Sequence, residues 1–88
     1  MLMICVYVLI SLKDNNRYIG STDNLERRFD QHCNGFIQST RNRRQLMIKY
    51  VQEFENLTKA RSAEKNYKKS RGFFDRAVKN SLLKKFGV

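Results

Sequence analysis

With 88 residues, 41% of them hydrophobic, the chain is long enough for one modest core and too apolar for disorder. No proline, no repeat and no low-complexity run divides it, and its four glycines are scattered, so one domain over residues 1–88 is expected. A formal net charge of +10 disfavours a basic partner and points to a polyanion, nucleic acid above all.

That charge is unevenly placed. Residues 1–40 carry four basic and four acidic side chains, whereas residues 41–88 carry fourteen and four, which is the whole excess. The plain alternative is a solvated basic surface that keeps the protein in solution. A membrane partner is not expected, because the basic half lacks a strongly apolar helix face. The apolar first ten residues lack a basic leader and run into Lys13-Asp14 rather than a small-residue cleavage site, and they are too few to span a bilayer. They read as a buried strand. Cys5 and Cys33 have neither metal-ligand nor redox spacing and read as reduced core residues of a cytoplasmic protein.

In chain order, residues 4–12 are apolar on both faces, as in a central strand covered on two sides. Lys13-Asp14-Asn15-Asn16 has turn chemistry, and residues 17–21 read as the returning strand of a hairpin. Cys5, Tyr7, Leu9 and Ser11 share one strand face, and Tyr18 shares a face with Gly20. Any even-length turn puts these on the same side of the sheet, with two phenols over a bare glycine. A glycine within a strand marks a close approach to the backbone.

Asp23-x-x-Glu26 has the pattern of a helix start with Asp23 as cap, and Asn34-Gly35 stops the helix after Cys33. Leu25, Phe29 and Cys33 form its apolar stripe. Arg28 and His32, four apart, line the edge of that stripe, while Arg27 turns toward solvent.

A basic loop with Arg41, Arg43 and Arg44 follows, then a third strand over 46–54 in which Leu46, Ile48 and Tyr50 alternate with Met47, Lys49 and Val51. Asn56 or Thr58 caps a helix over 59–70. Its inner face holds Ala60, Ala63 and Tyr67, together with Glu64, the one acid between Asn56 and Asp75. A carboxylate turned toward a core needs a cation, a metal or a donor. Both a metal and an ion pair with Lys68 or a neighbouring arginine satisfy that. A last helix, from about Ser70 toward Lys85, has Phe74, Ala77, Val78, Leu82 and Phe86 as its apolar stripe.

The ordered set resembles the GIY-YIG nuclease family. Cys5-Val6-Tyr7 stands where the first triplet belongs, and Tyr18-Ile19-Gly20 is the second triplet letter for letter. YIGSTDNLERRFDQH continues as in small single-domain members, with Arg28 at the family arginine and His32 at a frequent histidine. Thr40 matches a common threonine, and ARSAEKNYK matches the late helix, with Glu64 in the acidic position and Lys68 in the basic one. The first triplet departs at Cys5 and Val6, and Gln45 replaces a frequent proline.

The resemblance implies an α+β fold, a small three-stranded antiparallel sheet flanked by three or more helices. It implies divalent-metal-dependent endonucleolytic hydrolysis of phosphodiesters in DNA, with Mg²⁺ or Mn²⁺ on Glu64. Tyr7, Tyr18, Arg28, His32 and Glu64 would be catalytic. Arg28 would bind phosphate, Tyr7 would orient or deprotonate water helped by Tyr18, and His32 would shuttle a proton. A phenol with an ordinary pKa of ~10 would need nearby cations to serve as a base. Gly20, Arg41, Arg43, Arg44 and Lys68 would line the nucleic acid. Low intrinsic sequence specificity is implied, with repair or recombination as the setting and no obligate protein partner. Two other classes compete: a nucleic-acid-binding module that keeps the fold without turnover, and a regulatory protein whose charge meets acidic protein partners.

Overall fold

The computed structural model describes residues 3–37, 40 and 45–86. Its elements are β1 (Cys5–Ser11), β2 (Arg17–Thr22), α1 (Leu25–Cys33), β3 (Leu46–Glu53), α2 (Leu57–Lys69), α3 (Arg71–Lys79) and β4 (Lys84–Lys85). The strands form an antiparallel sheet in the order β2-β1-β3-β4. The class is α+β, as the sequence implies, with a fourth strand of two residues added at one edge.

β1 is central, and its two faces explain its unbroken hydrophobicity. Cys5, Tyr7 and Leu9 pack with Leu25 of α1 and Val51 of β3. Val6 and Val8 face the other way, onto Ile19, Ala60, Tyr67, Phe74, Ala77 and Leu83. One face therefore belongs to α1, and the other to α2 and α3.

Asn15, at φ 61, takes the left-handed conformation in the β1–β2 turn, and Asn16 N–H donates to Asp14 Oδ1 at 3.0 Å. The hairpin register pairs Tyr7 with Gly20 and Leu9 with Tyr18. The even turn length thus brings both tyrosines and the glycine to one face.

Several expectations are corrected. The cap of α1 is Asn24, not Asp23: Asn24 Oδ1 accepts from the Arg27 N–H at 3.2 Å, while Asp23 accepts from the Arg27 side chain at 3.4 Å. Cys33 ends α1 exposed rather than in the core; Cys5 is buried, and both are free thiols. In β3 the alternation breaks where the register skips Lys49: Val8 pairs with Tyr50 but Leu9 with Ile48. This bulge turns Tyr50 toward α3 and leaves Leu46, Ile48 and Val51 on the α1 side. The last helix stops at Lys79, capped by Asn80. Ser81, at φ 63, reverses the chain, so Leu83 enters the core while Leu82 and Phe86 stay exposed. Lys84 and Lys85 then pair with Val51 and Tyr50 as β4. Among the described residues, no helix is long and apolar enough to cross a membrane.

Candidate active site

The candidate residues converge where β1, edge strand β2 and the outer turn of α1 meet. Tyr7 is 1% exposed although its hydroxyl lies among polar groups. Gly20 makes room for it: a Cβ built there would lie 2.5 Å from Tyr7 Oη and 2.6 Å from Cζ. No side chain fits at such distances, so the glycine is what lets the phenol lie flat against β2. The Tyr18 ring stands beside Tyr7, with centroids 6.3 Å apart, and meets the His32 ring edge-on at 4.9 Å.

A chain of hydrogen bonds runs through this cluster. Arg28 Nε–H donates to Tyr7 Oη at 3.3 Å, Tyr7 Oη lies 3.0 Å from His32 Nε2, and His32 Nδ1 lies 2.7 Å from Thr40 Oγ1. His32 and Thr40 are both fully buried. Helix spacing accounts for the first part, since Arg28 and His32 lie one turn apart on α1. Gln31 Oε1 also accepts from Arg28 Nη1 at 3.3 Å and braces the guanidinium. Arg27 instead lies out in solvent against Asp23, as expected from its helix position.

The second part of the site belongs to α2, capped by Asn56, whose Oδ1 accepts from the Lys59 N–H. Glu64 is half-buried over the β2 edge. Its Oε1 accepts from Ser21 Oγ at 2.5 Å, and its Oε2 takes an ion pair from Lys68 Nζ at 2.7 Å. Lys68 Nζ also lies 5.8 Å from the centroid of the Tyr18 ring. The ion pair with Lys68 anticipated from the sequence is therefore present, and the carboxylate stays partly open to solvent. Ser21 went unnoticed in the sequence. Strand parity puts it on the α2 side, next to the glycine, and that is the signal that could have found it. Arg41, Arg43 and Arg44 lie outside the described residues.

Electrostatics separate the groups. Burial pushes the Tyr7 phenol up to about 12, outweighing the pull of the Arg28 hydrogen bond. Arg28 does lower Tyr7, in the direction that a base would need, but desolvation outweighs it. Burial, with Arg28 adding to it, pushes His32 down to about 4, so the imidazole is neutral at pH 7. The Tyr7 hydrogen bond holds Arg28 above its ordinary range. A neutral imidazole, a protonated phenol and a fixed cation in hydrogen-bonding sequence hold the Tyr7 hydroxyl in one orientation.

The family model described as the GIY-YIG catalytic domain matches residues 3–76, which takes in the sheet core, α1, α2 and every residue of this cluster. The chain belongs to the GIY-YIG family. A UPF0213 protein of Clostridium perfringens is 42% identical over 65 residues, covering 73% of this chain and 69% of the relative. No solved structure matches the chain significantly. GIY-YIG is a nuclease family, so a nucleic-acid substrate follows for the domain as a class.

Proposed function

We propose that this GIY-YIG protein is a divalent-metal-dependent endonuclease that hydrolyses phosphodiester bonds in DNA with little sequence preference. The observation that carries the reading is the Arg28–Tyr7–His32–Thr40 chain, buried except at Arg28, with the α2 carboxylate Glu64 bonded to Ser21 next to Gly20. Packing alone does not ask for four polar side chains in sequence at 2.7–3.3 Å in so small a core.

Glu64 would hold the metal. Among the described residues, no three His, Cys, Asp or Glu side chains gather as a closed cage. A single accessible carboxylate still suits Mg²⁺ or Mn²⁺, which keep several waters and bind through one or two carboxylates plus substrate phosphate. Bound there, the ion would supply charge neutralisation at the phosphate and at the leaving oxygen. The residues of the chain do the rest. Arg28 offers its planar fork to a non-bridging oxygen. Tyr7 orients the attacking water, its hydroxyl held between Arg28 Nε–H and His32 Nε2. Tyr18 walls the site and fixes the His32 ring. Lys68, released from Glu64, turns to the phosphate backbone together with the basic side chains of Arg41, Arg43 and Arg44. Gly20 lets the phenol lie flat against β2, which holds Tyr7 in place.

Low specificity fits a backbone-reading site, since phosphate contacts position nucleic acid without reading bases. Repair or recombination is the corresponding setting. An exposed free thiol at Cys33 suits the reducing cytoplasm. The test is labelled DNA incubated with Mg²⁺ and, in parallel, with chelator. Cleavage confined to the Mg²⁺ arm is the expected result. Tight binding with no cleavage in either arm would favour a non-catalytic binding module instead.

A further inference from the structure

We propose that Thr40 is a positioning residue: it fixes the tautomer and ring orientation of His32, so that Nε2 faces Tyr7 as a hydrogen-bond acceptor. One arrangement of the hydrogens gives every donor in the chain an acceptor. Arg28 has no acceptor atom, so Nε–H must donate to Tyr7 Oη. The Tyr7 hydroxyl then donates its own proton to His32 Nε2, 3.0 Å away. That leaves the ring proton on Nδ1, donating to Thr40 Oγ1 at 2.7 Å. Thr40 Oγ1–H in turn points at the Ile37 carbonyl, 3.5 Å away, whose oxygen also accepts the Thr40 N–H at 3.2 Å.

The opposite tautomer fails on the same count. A proton on Nε2 would put two donors, Arg28 and His32, on Tyr7 Oη and leave the phenolic proton without a partner shown for it. Thr40 and His32 are both fully buried, so bulk water cannot compensate at either ring nitrogen. A neutral imidazole takes whichever tautomer its second nitrogen's partner dictates. Here the partner is a hydroxyl that has the Ile37 carbonyl, 3.5 Å away, as an outlet for its own proton. Gly35, at φ 78, reverses the chain at the end of α1.

The catalytic half of this inference rests on the nuclease reading above; the tautomer half does not. His32 is the only histidine in the chain, so its ring signals are unambiguous in a two-bond ¹H–¹⁵N correlation spectrum of the intact protein. The expected spectrum of the wild type has a protonated Nδ1 and a pyridine-like Nε2. Thr40→Val, which keeps the shape and removes the acceptor, moves the ring toward the Nε2–H tautomer; Thr40→Ser keeps Nδ1–H. In parallel, kcat falls by at least roughly 10²-fold in Thr40→Val, with KM little changed, and recovers in Thr40→Ser. An Nε2–H ring in the wild type overturns the proposal. So does a Thr40→Val ring that stays Nδ1–H, or one that switches while kcat holds at the wild-type value. Should Thr40→Val fail to fold, wild type and Thr40→Ser decide: a slowly exchanging Nδ1–H in both supports the assignment, and Nε2–H in either overturns it. A wild type that cuts nothing ends the nuclease reading, and the spectrum still judges the tautomer.

Discussion

Gly20 and His32 are the residues whose environments constrain them most. At Gly20 the missing Cβ decides the geometry, because any Cβ would lie 2.5 Å from Tyr7 Oη. Tyr7 is 1% exposed, so its ring cannot step aside freely. Gly20→Ala should therefore destabilise the fold by about 1–3 kcal/mol, as overpacking does, and should also displace the phenol and stop cleavage. Thermal unfolding and a cleavage assay on the same preparation check both effects. His32 makes a pH prediction. Its folded pKa is depressed from 6.5 to about 4, so below pH 6.5 the unfolded chain binds a proton that the folded chain refuses. The neutral ring's stability is thus fully present above pH 6.5 and is lost as the pH falls through 4. The displacement corresponds to roughly 3 kcal/mol. Melting temperature measured between pH 7 and 4 should fall more steeply for wild type than for His32→Gln. Parallel curves would show that the ring titrates normally.

At the scale of elements, α1 presents Arg28 inward to Tyr7 and Arg27 outward to Asp23. Arg28→Ala should cost at least roughly 10²-fold in kcat, the scale of losing a preorganised donor at the transition state. Arg27→Ala removes an exposed pair worth no more than about 1 kcal/mol and should leave kcat near wild type. Equal losses from both, measured as kcat on one substrate, would contradict the helix face. That face was legible in the sequence because a 3.6-residue period sorts Arg27 from Arg28 without tertiary information, and strand parity gathered Tyr7, Tyr18 and Gly20 in the same way. The failures share a cause. Asp23 carries the sequence pattern of a cap, but only the backbone conformation at Asn24 decides which side chain reaches the Arg27 N–H. Lys49 bulges out of register, and Ser81 turns at positive φ, so a periodic pattern carried past either point assigns the wrong side chain to the core. The helical period places Leu82 inside, where the structure has Leu83. Ser21 as a partner of Glu64 required knowing that α2 crosses β2, which no local pattern contains.

Over the whole molecule, charge and chemistry are divided. The neutral first 40 residues supply the Tyr7–Arg28–His32 cluster, and residues 41–88 supply Glu64, Lys68 and the entire +10. DNA binding should weaken with salt, the slope of log K against log salt steepening by about 0.9 for each phosphate neutralised on duplex. Titrations at several salt concentrations measure it, and a flat response would remove the polyanion from the reading of residues 41–88. Glu64 joins the two halves, since its carboxylate holds Ser21 of the hairpin and Lys68 of the basic half together. The most direct test of the nuclease reading is Mg²⁺-dependent cleavage per folded molecule of Glu64→Gln, normalised to DNA bound. The amide keeps the shape and the Ser21 bond and removes one negative charge, so binding should hold or tighten. Cleavage should be lost if Glu64 holds the metal. Folded Glu64→Gln that cuts at the wild-type rate would leave Glu64 as an ion-pair partner of Lys68 alone and contradict the proposed site.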